Sequence, residues 1–342
     1  MTKYPFPKCD LHLHLDGSML PETAWALAKE RGIRLPADTL EDFRTFIVVT
    51  ADCRSVNEYL KRFEMPLSIL QDKASLERVT YELIRLLASQ GLAYAEIRFA
   101  PQLHTQKGLT QADAVEAVLA GRARAMAECP SIDTGIILCT MSLIPAGTNE
   151  KENLETVRLT KEYLGKGVVA TDLAGAEGIV PLSTFHAVFD LAKELGVPFT
   201  CHAGDSQGPD TVLDALDFGT KRIGHGHHIF LDKALCARAI RDGVTLEICP
   251  TSNIQCETQP SYGEHPLKKL MDMGVSCTIN TDNMILSDID LDKEYDHCLN
   301  EMGLCYNDLI RLNINSVRAS FMPEEKKAPL IEKLFTFLRE EA

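Results

Sequence analysis

The sequence has 342 residues, of which 45% are hydrophobic and 25% charged, proportions typical of soluble globular proteins. A formal net charge of −14 disfavours binding to nucleic-acid backbones and anionic membranes, and favours a small neutral substrate over a nucleotide. The first residues form no signal-peptide core, and no apolar run reaches the roughly 18 residues of a membrane span.

The chain opens with a predicted strand at residues 11–15, which a long helical region follows. Helices are predicted from Pro21 to a stop at Gly32, and over residues 56–70 and 76–90. This region exceeds what a crossover between two strands requires, so we expect an extended helical insertion after the first strand. Its Leu60, Phe63 and Met65 are candidates to cover a binding site, although core packing explains them equally well.

Seven more predicted strands alternate with helices along the rest of the chain. These strands span residues 93–99, 135–141, 168–175, 198–203, 222–225, 244–250 and 275–282. Eight strands alternating with helices predict a parallel sheet closed into a (β/α)8 barrel. An open doubly wound sheet is the alternative, but the glycine-rich phosphate loop of that fold is missing. Helices are predicted at 306–316 and 323–338, and residues 1–342 are expected to form one domain.

Polar side chains collect where the predicted strands end. Residues two apart in a strand point to the same side, so His12 and His14 can bind one divalent metal together, although this pattern alone is weak. In a barrel the catalytic groups lie at the carboxyl ends of the strands. Those ends carry, besides the two histidines, Glu177, His202, Asp205, His225, Glu247 and Asp282.

Four of these residues match the ligand types of a catalytic zinc site. His12, His14 and His202 offer nitrogen and Asp282 offers oxygen, which leaves a coordination position for water. Asp282 is also expected to accept a proton from that water, and His225 to orient or deprotonate it. Asp205, three residues after His202, is placed to donate a proton to a substrate.

Six motifs in chain order resemble those of the adenosine deaminase family of metal-dependent amidohydrolases: HLHLDG, LAGAEG, HAGD, RIGHG, CPTSN and NTDN. The resemblance covers residues 8–321. It implies one Zn²⁺ per chain and the hydrolytic deamination of adenosine or 2′-deoxyadenosine to inosine or 2′-deoxyinosine, with release of ammonia, in purine metabolism.

The resemblance also implies residue roles. Asp205 matches the acid that protonates purine N1, and His225 matches the histidine that positions the attacking water. Gly175 matches a glycine that meets N3, and Asp16 matches an acid that accepts a hydrogen bond from the ribose 5′-hydroxyl. A carboxylate there favours a nucleoside over a 5′-phosphate or a thioether. His14 is expected to contact the substrate as well as the metal.

Two positions depart from the family pattern. The proton donor is usually a glutamate, and Asp205 reaches roughly 1.3–1.5 Å less. Either the backbone compensates, or the substrate is another adenine derivative, or the chain binds metal and catalyses poorly. Asn283 stands where a second aspartate is usual, and its amide donates to purine N7 without having to be protonated.

Other features indicate ordinary structural roles. His227 and His228 are expected in a loop near the site, and His104, His186, His265 and His297 are expected to be structural or solvated. The eleven cysteines form no Cys-x-x-Cys pair, which indicates free thiols in a reducing cytoplasm, and Cys201 and Cys249 are expected to fill apolar space. Fe²⁺, Co²⁺ and Mn²⁺ accept the same ligands as Zn²⁺. A monomer or a weak homo-oligomer is expected, with a purine nucleoside as the partner.

Overall fold

The computed structural model describes residues 3–50, 53–143, 145 and 147–340. Its strands form two parallel sheets, in the orders β1-β2-β3-β4 and β5-β6-β7-β8. The strands are β1 (Lys8–His14), β2 (Leu92–Phe99), β3 (Asp133–Ser142), β4 (Val168–Gly175), β5 (Cys201–Ala203), β6 (Arg222–His225), β7 (Thr245–Ile248) and β8 (Ser276–Ile279).

Isolated backbone bridges join the two sheets on both sides. Leu13 bridges to Asp282, where the His14 N–H donates to the Asp282 carbonyl at 2.7 Å. On the other side Thr171 bridges to Phe199, and the Thr200 N–H donates to the Thr171 carbonyl at 3.0 Å. The strands therefore form the predicted (β/α)8 barrel. The predicted eighth strand was too long, because Asp282 has a φ of 58° that no strand accommodates.

Helices surround the barrel and follow it to the end of the described chain. They are α1 (Pro21–Glu30), α2 (Leu40–Ile47), α3 (Val56–Leu60), α4 (Glu64–Ile69), α5 (Lys73–Ser89), α6 (Gln111–Glu128), α7 (Glu150–Tyr163), α8 (His186–Leu195), α9 (Pro209–Asp217), α10 (Lys233–Asp242), α11 (Pro250–Gln255), α12 (Leu267–Asp272), α13 (Leu291–Asn300), α14 (Tyr306–Ala319) and α15 (Glu324–Glu340). Among the described residues, no helix combines the length and apolar character that crossing a membrane requires.

The helical insertion after β1 is more broken than expected. The single helix predicted over residues 56–70 is wrong: α3 and α4 are separated by a 3-10 turn at Lys61–Phe63. Pro66 explains the break, because it lacks an N–H and its ring clashes with the carbonyl four residues earlier. Helix α2 was not predicted, although Thr39 caps it by accepting a hydrogen bond from the Asp42 N–H at 3.1 Å.

Charged side chains occupy the middle of the barrel, beneath the carboxyl ends of the strands. Arg98, Arg222, Glu96, Glu247 and Asp172 are all buried. Arg222 binds Glu247 at 2.6 Å and also pairs with Glu96. Burial alone raises the pKa of Glu247, but Arg222 and Arg98 outweigh it and hold that pKa well below the ordinary value. Glu247 was predicted at the rim, yet it lies inside the barrel and supports the site from below.

Candidate active site

Three histidines and an aspartate converge at the carboxyl ends of β1, β5 and β8. The ligand atoms of His12, His14 and His202 all lie within 4.8 Å of one another. Oδ1 of Asp282 lies 3.6 Å from Nε2 of His12 and 3.5 Å from Nε2 of His14. The Nε2 atom of His12 is buried and has no hydrogen-bond partner among the described residues. Such an unpaired nitrogen amid three other donors fits a divalent metal ion.

The outward-facing nitrogens of two of these histidines are held by carboxylates. His12 Nδ1 lies 2.9 Å from Glu247 Oε2, and His202 Nδ1 lies 3.1 Å from Asp172 Oδ2. Arg98 joins the two carboxylates, since it donates to Glu247 at 2.7 Å and to Asp172 at 3.0 Å. A carboxylate on Nδ1 leaves Nε2 free to coordinate, as is typical of histidine ligands to metals.

Two of the three histidines are held neutral, as metal binding requires, and His202 differs from them. Burial lowers the pKa of His12 and His14 well below 6.5, so both rings are neutral ligands near pH 7. For His202, burial opposes the charge, but the Asp172 carboxylate outweighs it and raises the pKa. Burial likewise opposes a charge on Asp172, but His202 and Arg98 outweigh it and hold the pKa of Asp172 below the usual range.

His225 borders this set at the end of β6. Its ring centroid lies 5.0 Å from that of His12 and 5.5 Å from that of His202. Burial lowers the pKa of His225 to about 4. His225 and Asp282 both have left-handed backbones, with φ of 60° and 58°, and such backbone strain is concentrated at functional sites. The Cys249 sulfur, expected only to fill space, lies within 4.8 Å of the ligand atoms of both residues.

Asp205 lies on the turn that follows β5. Its Oδ1 accepts hydrogen bonds from Asn253 Nδ2 at 2.8 Å and Thr258 Oγ1 at 3.0 Å, and lies 3.8 Å from His225 Nδ1. Burial, followed by the charge of Glu177, raises the pKa of Asp205 to about 6. An acid with a pKa near the working pH is suited to proton transfer.

Glu177 holds this turn in place. Its carboxylate accepts from the backbone N–H groups of Gly204 at 2.5 Å, Asp205 at 2.9 Å and Ser206 at 2.7 Å. It also accepts from Thr211 Oγ1 at 2.6 Å. The sequence placed Glu177 among the polar residues at the carboxyl ends of the strands, without a specific role. The contacts make it an acceptor that fixes the turn carrying Asp205.

A cavity of about 400 Å³ opens beside His14. Asp16 and Gly175 line it, and so do Leu60 and Phe63 from the insertion. Burial raises the pKa of Asp16 to about 6, so its carboxyl is largely ionised at pH 7. Because Leu60 and Phe63 line this cavity, they occupy the position predicted to cover the binding site.

Glycine is required at position 175. Its φ is 112°, and a Cβ there would lie 2.7 Å from the Ser142 carbonyl oxygen.

Three predicted residues lie away from this cavity wall. Met65 lines a separate depression on the insertion. Asp205 Oδ1 lies 3.8 Å from His225 Nδ1 and does not line this cavity, and Asn283 is buried against Gly17, where a Cβ would lie only 1.8 Å from Asn283 Oδ1. That oxygen has no hydrogen-bond partner among the described residues.

Sequence reasoning missed several residues that hold the site together. Arg98, Asp172 and Asn253 received no role. Two charged residues, Glu96 and Arg98, inside an otherwise apolar strand were the available signal, because arginine is rarely buried unless it is paired. Asn253 lies within the quoted CPTSN motif, but nothing in the sequence indicated its contacts.

The barrel and its histidine–aspartate cluster define a metal-dependent hydrolase. The family model described as "Adenosine deaminase" matches residues 7–337. Adenosine deaminase from Haemophilus ducreyi is 43% identical, with 94% of each chain covered. Adenosine deaminase from Clostridium perfringens strain SM101 is 38% identical, over 96% of this chain and 98% of that one. The chain belongs to the adenosine deaminase family.

Solved structures agree with this fold. Adenine deaminase from Arthrobacter aurescens has a TM-score of 0.88 at 25% identity, covering 97% of this chain and 99% of its own. An amidohydrolase from Burkholderia ambifaria with bound Zn has a TM-score of 0.86 at 23% identity, over 98% and 93% of the two chains.

Proposed function

We propose that this chain is a zinc-dependent hydrolase that converts adenosine and 2′-deoxyadenosine to inosine and 2′-deoxyinosine with release of ammonia. The observation that carries the proposal is the convergence of His12, His14 and His202 beside a cavity that also contains Asp16. Relatives that are 35–43% identical over nearly the whole chain carry the name adenosine deaminase.

We assign one Zn²⁺ to the Nε2 atoms of His12, His14 and His202 and to the carboxylate of Asp282. When bound, the ion supplies Lewis acidity that lowers the pKa of water towards neutrality. The carboxylates on the opposite ring nitrogens keep His12 and His202 oriented. Asp282 also accepts a proton from the attacking water, and its left-handed backbone aims it at the centre of the cluster.

Asp205 donates its proton to purine N1 while water adds at C6. Protonating N1 makes C6 more electrophilic and neutralises the charge that addition creates in the ring. His225 orients the attacking water, since its ring adjoins those of His12 and His202. The amino nitrogen then takes up the proton that Asp282 removed from the water and leaves as ammonia, while the proton of the new C6 hydroxyl returns to Asp205. Because the Asp205 side chain is short, the turn held by Glu177 sets how far its carboxyl reaches.

The cavity orients the nucleoside. Asp16 accepts a hydrogen bond from the ribose 5′-hydroxyl, and its negative charge repels a 5′-phosphate. Gly175 lets the purine approach the β4 backbone closely, because a side chain there would meet the Ser142 carbonyl. Asn283 donates its amide to N7, and His14 faces both the metal and the substrate.

The test follows the ultraviolet change from adenosine to inosine with the purified chain, with and without a chelator, while bound metal is measured. Turnover that disappears with the chelator and returns with Zn²⁺ supports the proposal. A fully zinc-loaded chain that deaminates adenine or methylthioadenosine but not adenosine contradicts it. Removing the 5′-hydroxyl is expected to reduce kcat/KM about tenfold or more, because the buried Asp16 loses its donor.

We further propose that the chain acts as a single domain in the cytoplasm, as a monomer or weak homo-oligomer. All eleven cysteines are free thiols, which suits a reducing compartment. Light scattering checks the oligomeric state.

A further inference from the structure

A line of hydrogen bonds connects His265, on the loop before α12, to the two proposed proton-handling residues. His265 Nε2 lies 3.2 Å from Asn253 Oδ1. On its other side, Asn253 Nδ2 lies 2.8 Å from Asp205 Oδ1 and 3.1 Å from His225 Nδ1. All four side chains are buried, so no bulk solvent competes for these contacts. Asn253 is therefore the only direct side-chain link between Asp205 and His225 among the hydrogen bonds of the described residues.

The backbone N–H of Leu267 determines which group donates and which accepts in each of these hydrogen bonds. The Leu267 N–H donates to His265 Nδ1 at 3.2 Å, and an N–H cannot accept, so Nδ1 carries a lone pair. Burial lowers the pKa of His265 to about 3, so the ring is neutral and its one proton is on Nε2. That Nε2–H donates to the amide oxygen of Asn253. The two hydrogens of the Asn253 amide consequently point the other way.

Those two hydrogens meet two acceptors. One goes to Asp205 Oδ1, which also lies 3.0 Å from Thr258 Oγ1. The other goes to His225 Nδ1. With Oδ1 occupied by donors, the proton of a neutral Asp205 belongs on Oδ2, and 12% of that side chain remains exposed. With Nδ1 of His225 accepting, the proton of its neutral ring belongs on Nε2.

We infer that Asn253 is a positioning residue for the proposed deamination. Its amide nitrogen donates to both Asp205 Oδ1 and His225 Nδ1, which keeps the proton of Asp205 on Oδ2 and the proton of His225 on Nε2. The inference rests on the proposed function for its consequence in catalysis. The donor and acceptor roles in these hydrogen bonds follow from the structure and do not depend on the proposed function. Without the amide, the short Asp205 side chain can rotate, and His225 can place its proton on the nitrogen that faces Asp205.

Other charged and titratable groups also face Asp205. Glu177 holds its turn, and His227 Nδ1 lies 4.0 Å from Asp205 Oδ1, against 3.8 Å for His225 Nδ1. None of these is altered by a substitution at position 253. A change of the pH profile in such a variant therefore reports the change of hydrogen bonding and charge at position 253.

The test uses the zinc-loaded full chain and the isosteric substitution Asn253→Asp. The new carboxylate at position 253 accepts hydrogen bonds where the amide donates them. It therefore disfavours ionisation of Asp205 and attracts a proton to His225 Nδ1. We expect kcat/KM to fall about 100-fold, as for a catalytic group misplaced by about 1 Å. The alkaline limb of the pH profile is expected to move up by roughly one unit, the direction a like charge imposes on an acid.

Matched variants separate this role from a structural one. Asn315→Asp makes the same change at a half-buried asparagine whose amide donates to the Cys277 carbonyl at 3.0 Å, far from the cluster. It is expected to leave the pH profile unchanged. His265→Phe is expected to reduce kcat/KM several-fold by freeing the amide to flip, and His265→Gln, which keeps a donor, to restore it in part.

Nitrogen NMR of the histidine rings provides a readout that needs no substrate. With the His225 signals assigned by comparison with His225→Gln, the proton is expected on Nε2 in the parent and Asn315→Asp, and on Nδ1 in Asn253→Asp. An unchanged His225 tautomer together with an unmoved pH limb in Asn253→Asp overturns the inference. If the parent fails to deaminate adenosine, the proposed function fails. The His225 tautomer still shows whether the Asn253 amide donates to His225.

Discussion

Arg98 connects the carboxylates that hold two of the proposed metal ligands, and replacing it with methionine tests how far metal binding depends on the charged interior of the barrel. Arg98 is fully buried and donates to Glu247, to Asp172 and, at 2.7 Å, to the Leu11 carbonyl. After Arg98→Met, Glu247 keeps Arg222, but Asp172 keeps only a histidine as a charged partner.

The expected losses follow from these contacts. Breaking one buried ion pair by removing a partner costs about 3–5 kcal/mol, so the free energy of unfolding should fall by that amount. Loss of a group that orients metal ligands weakens metal binding about 10- to 100-fold. Denaturant unfolding measures the first quantity, and competition for Zn²⁺ with a chromophoric chelator measures the second.

Arg222→Met is the control. Arg222 is as deeply buried and also binds Glu247, but it pairs with Glu96 and makes no contact with Asp172 among the described residues. We expect a comparable loss of stability with a clearly smaller loss of metal affinity. If both variants lose metal affinity equally, the bridge through Arg98 does not position the ligands.

Three further results are expected. Gly17→Ala should raise KM for adenosine, because the new Cβ would lie 1.8 Å from Asn283 Oδ1 and must displace it; an unchanged KM in steady-state assays would remove Asn283 from substrate binding. Glu177→Gln should lower kcat about tenfold and move the alkaline limb of the rate profile down, because a charge that raises the pKa of Asp205 is lost. The pKa of Asp205 rises on folding from about 3.9 to about 6, so this group destabilises the folded state by roughly 3 kcal/mol above pH 6 and not below pH 4. Asp205→Asn should remove that difference in urea unfolding while abolishing most activity, and a full retention of activity would show that Asp205 is not the acid.

The barrel and the grouping of the three histidines with Asp282 were predictable because both rest on local patterns. Alternation of apolar strands with helices gave the strand order, and the carboxyl ends of the strands indicated His12, His14, His202 and Asp282. The break at Pro66 was predictable in principle, from the missing N–H of proline.

The supports of the site were not predictable, because they depend on contacts between distant strands. Arg98 lies on β2, Asp172 on β4 and Glu247 on β7, so only the closed barrel brings them together. Asn253 belongs to the short helix α11 and His265 to the loop before α12, and no sequence periodicity indicates that the two come into contact. The position of the Asp205 carboxyl beside His225 depends on side-chain length and on the turn bound to Glu177, and both act over about 1 Å.

The segment after β8 is fastened to the helical insertion at two points. Tyr59 shares a hydrogen bond of 2.7 Å with Ser287, and the Val49 N–H donates to the Leu286 carbonyl at 2.7 Å. The Ser287 N–H in turn donates to the carbonyl of Asn283 at 2.9 Å. Under the proposed function, outward movement of the insertion to admit a nucleoside would pull on the segment that carries Asn283. We therefore expect substrate entry and the proposed contact of Asn283 with the base to be coupled, so that weakening either fastening accelerates product release and loosens purine selection together.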